Sequence, residues 1–128
     1  VWNMAEKKRI LIIDDDIKII DALRIPLSLR EYEVFSALDG LEGLEKVRKV
    51  KPDLIILDLL MPKMDGLKLA RFIRFDERFS HIPLIAISHL NRQRVQKDVE
   101  SVGIDRLVSK PVDLNHVISM AKEFLSEA

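Results

Sequence analysis

The chain has 128 residues, 48% of them apolar and 33% charged, enough for a single domain with a real core and too apolar for a disordered one. Twenty-one Lys and Arg balance twenty-one Asp and Glu, and this zero net charge argues against non-specific nucleic-acid or membrane binding as the main activity. The absence of Cys excludes disulfides, thiolate metal sites and a Cys nucleophile.

No apolar run approaches the ~18–20 residues of a membrane span, and the N-terminus lacks the apolar stretch of a signal peptide. Residues 1–8 read as a leader. Val1-Trp2-Asn3 precede Met4, a natural start, and are set aside as an appended remnant. No repeat, low-complexity tract or linker interrupts the rest of the chain, so residues 9–128 are expected to form one domain.

Arg9 to Ile13 reads as a short strand, with Asp14-Asp15-Asp16 directly after it. Asp16 can cap a helix from Ile17 to about Arg30 with Ile20, Leu23 and Leu27 as its core stripe. Pro26 inside that pattern predicts a kink rather than a break, with Leu27 and Leu29 still buried. Tyr32 to Ala37 predicts a second strand, at an edge. Asp39-Gly40 opens a helix from Leu41 to Val50, closed by Lys51-Pro52.

Leu54 to Leu57 is an apolar, β-branched run of the kind buried on both sheet faces, and it stops at Asp58. Met61-Pro62-Lys63-Met64-Asp65-Gly66 then forces an irregular loop. A helix from about Gly66 to Asp76 is expected to bury Leu67, Ala70 and Phe72 or Ile73. Leu84 to Ile87 forms a fourth strand ending at Ser88, and a helix beginning near Asn91 stops at Gly103. Arg106 to Val108 is a fifth strand, followed by Ser109-Lys110-Pro111. Asp113 caps a last helix with Val117, Met120, Ala121, Phe124 and Leu125 on its apolar face.

Five strands alternating with five helices through short connections predict right-handed crossovers and an α/β, doubly wound parallel sheet. The flavodoxin-like order 2-1-3-4-5 is expected, with its switch point between the first and third strands. Those strands end in Asp14-Asp15 and Asp58, and Ser88 and Lys110 fall on the same edge.

Three carboxylates so close would repel, since unit charges 4 Å apart cost about 4 kcal/mol at an effective dielectric near 20. A divalent cation relieves that cost. Oxygen ligands suit Mg²⁺, with Mn²⁺ tolerated and Ca²⁺ a third option, and with no Cys or His in the cluster Zn²⁺ is not expected. A metal, a carboxylate nucleophile, an ammonium and a hydroxyl together form a phosphoryl-transfer set whose product is an aspartyl phosphate on Asp58. With no general base to activate water, slow turnover is expected, which suits a signal.

The stretches Ile12-Ile13-Asp14-Asp15-Asp16, Asp58 through Gly66, Ala86-Ile87-Ser88 and Ser109-Lys110-Pro111, in this order at strand ends, resemble the receiver domain of two-component response regulators, of the stand-alone chemotaxis type. The resemblance implies that Asp58 takes a phosphoryl group from a sensor histidine kinase or phosphotransfer protein. It implies Asp15 as a direct Mg²⁺ ligand, Asp14 as one through water, and Asp58 and the Leu59 carbonyl in the same shell. Lys110 would bind a phosphoryl oxygen, its bond to Pro111 would be cis, and Ser88 would move toward the phosphoryl group. A cytoplasmic location, an output partner or domain, and homodimerisation on phosphorylation are further expectations. No DNA-binding segment follows the last helix, so the chain is expected to be a stand-alone regulator or a domain of a longer one, without direct nucleic-acid binding.

Three residues depart from the family pattern. Leu107 stands where Tyr, Phe or His is usual, three residues before the Lys. Val112 stands where Phe is frequent, and His89 replaces a small residue after Ser88. Leu107 leaves open an alternative, a phosphorylation-independent interaction module. A small Mg²⁺ phosphatase is a poorer reading, because that class has Asp-x-Asp at the nucleophile and position 60 is Leu. Asp16 is read as a cap, Asp65-Gly66 as turn chemistry, His81 and His116 as surface residues, and Met61 and Met64 as packing.

Overall fold

A computed structural model describes residues 7–61, 63–89 and 92–126, with the side chain of Arg92 left aside. Five strands, β1 (Arg9–Ile13), β2 (Glu33–Ala37), β3 (Leu54–Asp58), β4 (Leu84–Ser88) and β5 (Arg106–Ser109), alternate with five helices. The helices are α1 (Ile17–Leu29), α2 (Gly40–Val50), α3 (Gly66–Phe75), α4 (Arg92–Val102) and α5 (Leu114–Leu125). All four strand pairings are parallel and the order is β2-β1-β3-β4-β5, as the alternation predicted.

Successive residues of a strand face opposite sides, so each central strand feeds two cores. Leu11, Ile13, Ile55 and Leu57 pack with Val47, Leu69, Ile73, Val95 and Val99 on the side covered by α2, α3 and α4. Ile10, Ile12, Leu54 and Ile56 pack with Ile20, Leu23, Leu27, Val117 and Ala121 on the side of α1 and α5. Each fully buried Leu or Ile contributes about 1.5–3 kcal/mol, and all five residues of β3 are buried. This strand therefore fixes Asp58 firmly at its end.

Helix starts follow side-chain caps that satisfy otherwise orphaned N–H groups. Asp16 accepts from Lys18 N, Asp39 from Glu42 N, Asp65 from Lys68 N and Asp113 from His116 N. Glu42 reaches back to Leu38 N at 2.6 Å, so α2 is held reciprocally at its entry. Gly103, at φ +90°, follows α4 in the left-handed conformation expected of it.

Several packing expectations are corrected. Helix α1 continues through Pro26, but Leu29 is 79% exposed rather than buried, because the last turn points its 25/29 face outward. In α3 the buried residues are Leu69, Ala70 and Ile73, whereas Leu67 is half-buried and Phe72 is exposed. The start of α4 near Asn91 lies outside the described residues.

Candidate functional site

The carboxyl edge of the sheet gathers five side chains because parallel strands all end there. Asp14 follows β1, and its backbone N–H bonds the Ala37 carbonyl at 3.1 Å. Asp58 ends β3 in register with Ile87, and Ser88 ends β4 in register with Ser109. Lys110 follows β5, its N–H donating to the Ser88 carbonyl at 2.9 Å and its peptide bond to Pro111 cis.

The chemistry is buried. Asp14 is 1% and Asp58 3% exposed, Ser88 is equally enclosed, and only Asp15 opens to solvent. Lys110 Nζ lies 3.0 Å from Asp58 Oδ2 and 3.6 Å from Asp14 Oδ2, so one ammonium faces two carboxylates. The second distance is beyond hydrogen-bond length, and Asp14 Oδ2 is a buried oxygen without a hydrogen-bond partner. The remaining oxygens are engaged by backbone: Asp14 Oδ1 accepts Asp16 N–H at 2.8 Å, and Asp58 Oδ1 accepts Leu60 N–H at 3.0 Å.

These positions set the electrostatics. Burial pushes the Asp14 carboxyl up to about 6, the charge of Asp58 adds to the rise, and the Asp16 N–H and Lys110 only partly oppose it. Burial alone would lower Lys110, but its bond to Asp58 and the charge of Asp14 hold it above the usual lysine value. Among the described residues one cation faces this cluster of three carboxylates, which leaves the cluster net negative.

One carboxylate oxygen from each of Asp14, Asp15 and Asp58 lies within 4.8 Å of the others. An all-oxygen set with an orphaned buried oxygen fits a hard divalent cation. The Leu59 carbonyl, the expected backbone ligand, accepts Gly66 N–H at 3.0 Å, so that oxygen is already partly used.

Neighbouring loops hold the site in shape. A Cβ at Gly66 would press on the Asp58 carbonyl and stand 2.7 Å from Leu59 Cα, so only glycine lets α3 start this close to β3. A Cβ at Gly40 would stand 2.7 Å from Met64 Cβ, which admits the start of α2 beside the β3–α3 loop. Lys63, at φ 69°, reaches Asp39 at 3.4 Å and ties the two loops together. Met61 and Met64 pack against the core, His81, His89 and His116 are exposed, and Leu107 is a 7%-exposed core residue. Neither the close approach of Gly40 to Met64 nor the Lys63–Asp39 pair was anticipated; the Gly immediately after a cap was the available signal.

Arg74 is a supporting residue that sequence reasoning missed. It donates to the carbonyls of Gly103, Ser80 and Ile82 and pairs with Asp105 at 3.0 Å. Asp105 also accepts Leu84 N–H at 2.9 Å, so this cluster ties α3 to the starts of β4 and β5.

Comparison with known proteins bears on the family and the fold. Residues 10–122 match the family described as the response regulator receiver domain. The chain is 36% identical over 117 residues, 91% of its length, to the DNA-binding dual master transcriptional regulator RpaA of Synechocystis sp., and spans about half (48%) of that protein. It is 27% identical to the polar-differentiation response regulator DivK of Brucella anthropi, covering 94% of this chain and 98% of the relative. The chemotaxis response regulator CheY4 of Vibrio cholerae superposes with a TM-score of 0.86 at 26% identity, covering 93% of this chain and 99% of the other. A receiver domain of a signal transduction histidine kinase from Syntrophus aciditrophicus gives 0.85 at 30% identity, over 93% and 90% of the two chains.

Proposed function

The chain belongs to the response regulator receiver family, and on that premise we propose that it is the phosphoacceptor of a two-component or phosphorelay system, with Asp58 taking the phosphoryl group. The observation that carries this reading is the pairing of a buried Asp58 with Lys110 at 3.0 Å beside two further carboxylates. A buried carboxylate held only for stability would need one partner, not an excess of negative charge.

In the proposed reaction an Asp58 oxygen attacks the phosphorus of a phosphohistidine on a sensor kinase or phosphotransfer protein, or of an acyl phosphate. A P–O bond forms as the P–N or P–O bond of the donor breaks, and the donor leaves with the electron pair. Lys110 Nζ, already on Asp58 Oδ2, is placed to shift to a phosphoryl oxygen, and the Ser88 hydroxyl donates to another. Asp14, Asp15 and Asp58 would hold Mg²⁺, with the Leu59 carbonyl sharing its Gly66 bond. The ion, when bound, supplies the positive charge that lets a crowded anionic pocket receive a phosphoryl group.

The product is regulatory: withdrawing Lys110 and Ser88 toward the phosphoryl group biases a conformational equilibrium that an output partner or domain, or a homodimer, reads. The domain spans residues 9–128, turns over only its own phosphate, acts in the cytoplasm and binds neither nucleic acid nor membrane itself. Among the described residues no helix is long and apolar enough to cross a membrane. A second reading, a phosphate-independent interaction module, draws on Leu107: a buried aliphatic side chain has no hydroxyl or ring edge to exchange hydrogen bonds on switching.

Acetyl phosphate with Mg²⁺ separates the two. Intact-mass spectrometry of the parent should show one added phosphoryl group, sensitive to hydroxylamine and absent from Asp58→Asn. An unlabelled parent, or equal labelling of the variant, would remove the phosphoacceptor reading.

A further inference from the structure

Helix α3 carries Lys68, Arg71 and Arg74 and no Asp or Glu. Arg74 is consumed internally by three carbonyls and Asp105. Lys68 and Arg71 are exposed, and among the described residues neither side chain forms an ion pair. Asp65, the cap of α3, lines the same groove and offsets part of this charge, so the face carries a local surplus of one positive charge besides Arg74.

The same helix exposes Phe72 at 46% and Phe75 at 93%. Single exposed apolar residues are ordinary, but two phenylalanines at i and i+3 lie on neighbouring positions of one face and form a continuous ridge. Beside the ridge runs a groove of about 690 Å³ whose far wall includes Ser101 and Val102 at the end of α4. That volume is within the range that takes up ligand-sized groups. Both rings also border a second depression on the α2 side, which they share with Leu44 and Arg48.

An apolar groove with aromatic walls selects for apolar side chains, and the two unpaired cations beside it select for carboxylates. A nucleic-acid backbone would want a longer basic track than two side chains. We propose that the α3–α4 groove docks an acidic amphipathic segment of a partner protein, its apolar side chains against Phe72 and Phe75 and its carboxylates on Lys68 and Arg71. This surface is independent of the phosphoryl chemistry, so it is tested on unphosphorylated protein and stands or falls apart from the reading of Asp58.

The probe is a synthetic amphipathic peptide of roughly 16 residues, Glu on one face and Leu on the other, titrated into ¹⁵N-labelled protein. Controls are the same peptide with Lys for Glu and a single-stranded oligonucleotide of similar length. Amide shifts confined to α3 and residues 101–102, with a Kd on the order of 10–100 µM, are expected. Lys68→Glu with Arg71→Glu should weaken binding about tenfold or more, as should Phe75→Ser, with thermal melts confirming that these exposed substitutions leave the fold intact. Several results would overturn the proposal: no shifts at ~1 mM peptide, shifts on another face, affinity untouched by charge reversal, or equal binding of the Lys peptide. Tighter binding of the oligonucleotide would reassign the face to nucleic acid. A Phe75-dependent dimer that excludes the peptide would reassign it to self-association.

Discussion

Asp14→Asn is expected to stabilise the metal-free domain at neutral pH, although it removes a side chain proposed to hold a cation. Asp14 is 1% exposed, and burial raises its carboxyl from 3.8 to about 6. A carboxyl that ionises less readily when folded binds its proton more tightly in the folded state. Its stability contribution is therefore fully present below the unfolded value near 3.8 and is lost as pH rises through 6. Moved from 3.8 to about 6, the ionised carboxyl disfavours the folded state by on the order of 3 kcal/mol. Asparagine keeps the shape and the oxygen that accepts Asp16 N–H, but carries no charge. Urea unfolding in EDTA should show the variant about 2–3 kcal/mol more stable at pH 7.5, with the gain shrinking steadily as pH falls from 6 toward 4. Added Mg²⁺ should stabilise the parent and narrow the difference. A variant less stable than the parent at pH 7.5, or a gain that ignores pH, would refute the electrostatic reasoning.

Other perturbations probe the parts that support the site. Lys110→Ala strands two buried carboxylates and should cost about 3 kcal/mol in EDTA, partly restored by Mg²⁺; a neutral effect on the urea midpoint would contradict the pairing. Gly66→Ala must push α3 away from the end of β3, and a loss of about 1–3 kcal/mol with slower acetyl-phosphate labelling is expected, whereas wild-type values would show that the junction yields freely. Arg74→Leu leaves three carbonyls and Asp105 without their shared donor, and thermal melting should report a loss of about 2–4 kcal/mol. His89→Ala clears a bulky residue beside Ser88 and should speed both small-donor labelling and dephosphorylation; equal half-lives would end that idea.

The fold was legible because the three central strands, β1, β3 and β4, are apolar runs stopped by a polar residue, and because Asp16, Asp39 and Asp113 announce helix starts with local hydrogen-bond chemistry. The site was legible for the same reason: the residues that stop β1, β3 and β4 are the ones the parallel sheet brings together. Helix phase was less so. Residues 67, 69, 70, 72 and 73 are all apolar, so two stripes compete, and contact with β3 and α4 selects 69, 70 and 73, which the periodicity alone cannot rank. Leu29 failed similarly, since nothing within α1 says that its final turn is covered at Leu27 but open at Ile25 and Leu29. The role of Arg74 depends on partners up to 31 positions away, and the partial occupation of the Leu59 carbonyl depends on where Gly66 lands. Both are tertiary facts without a local signature.

The central claim is that an over-acidic pocket is completed by a divalent cation. Isothermal titration of the metal-free domain with MgCl₂ at neutral pH tests it most directly. The account predicts one saturable site per chain, weakened about tenfold or more in Asp58→Asn. A parent that shows no saturable magnesium binding, or a variant that binds as tightly as the parent, would contradict it.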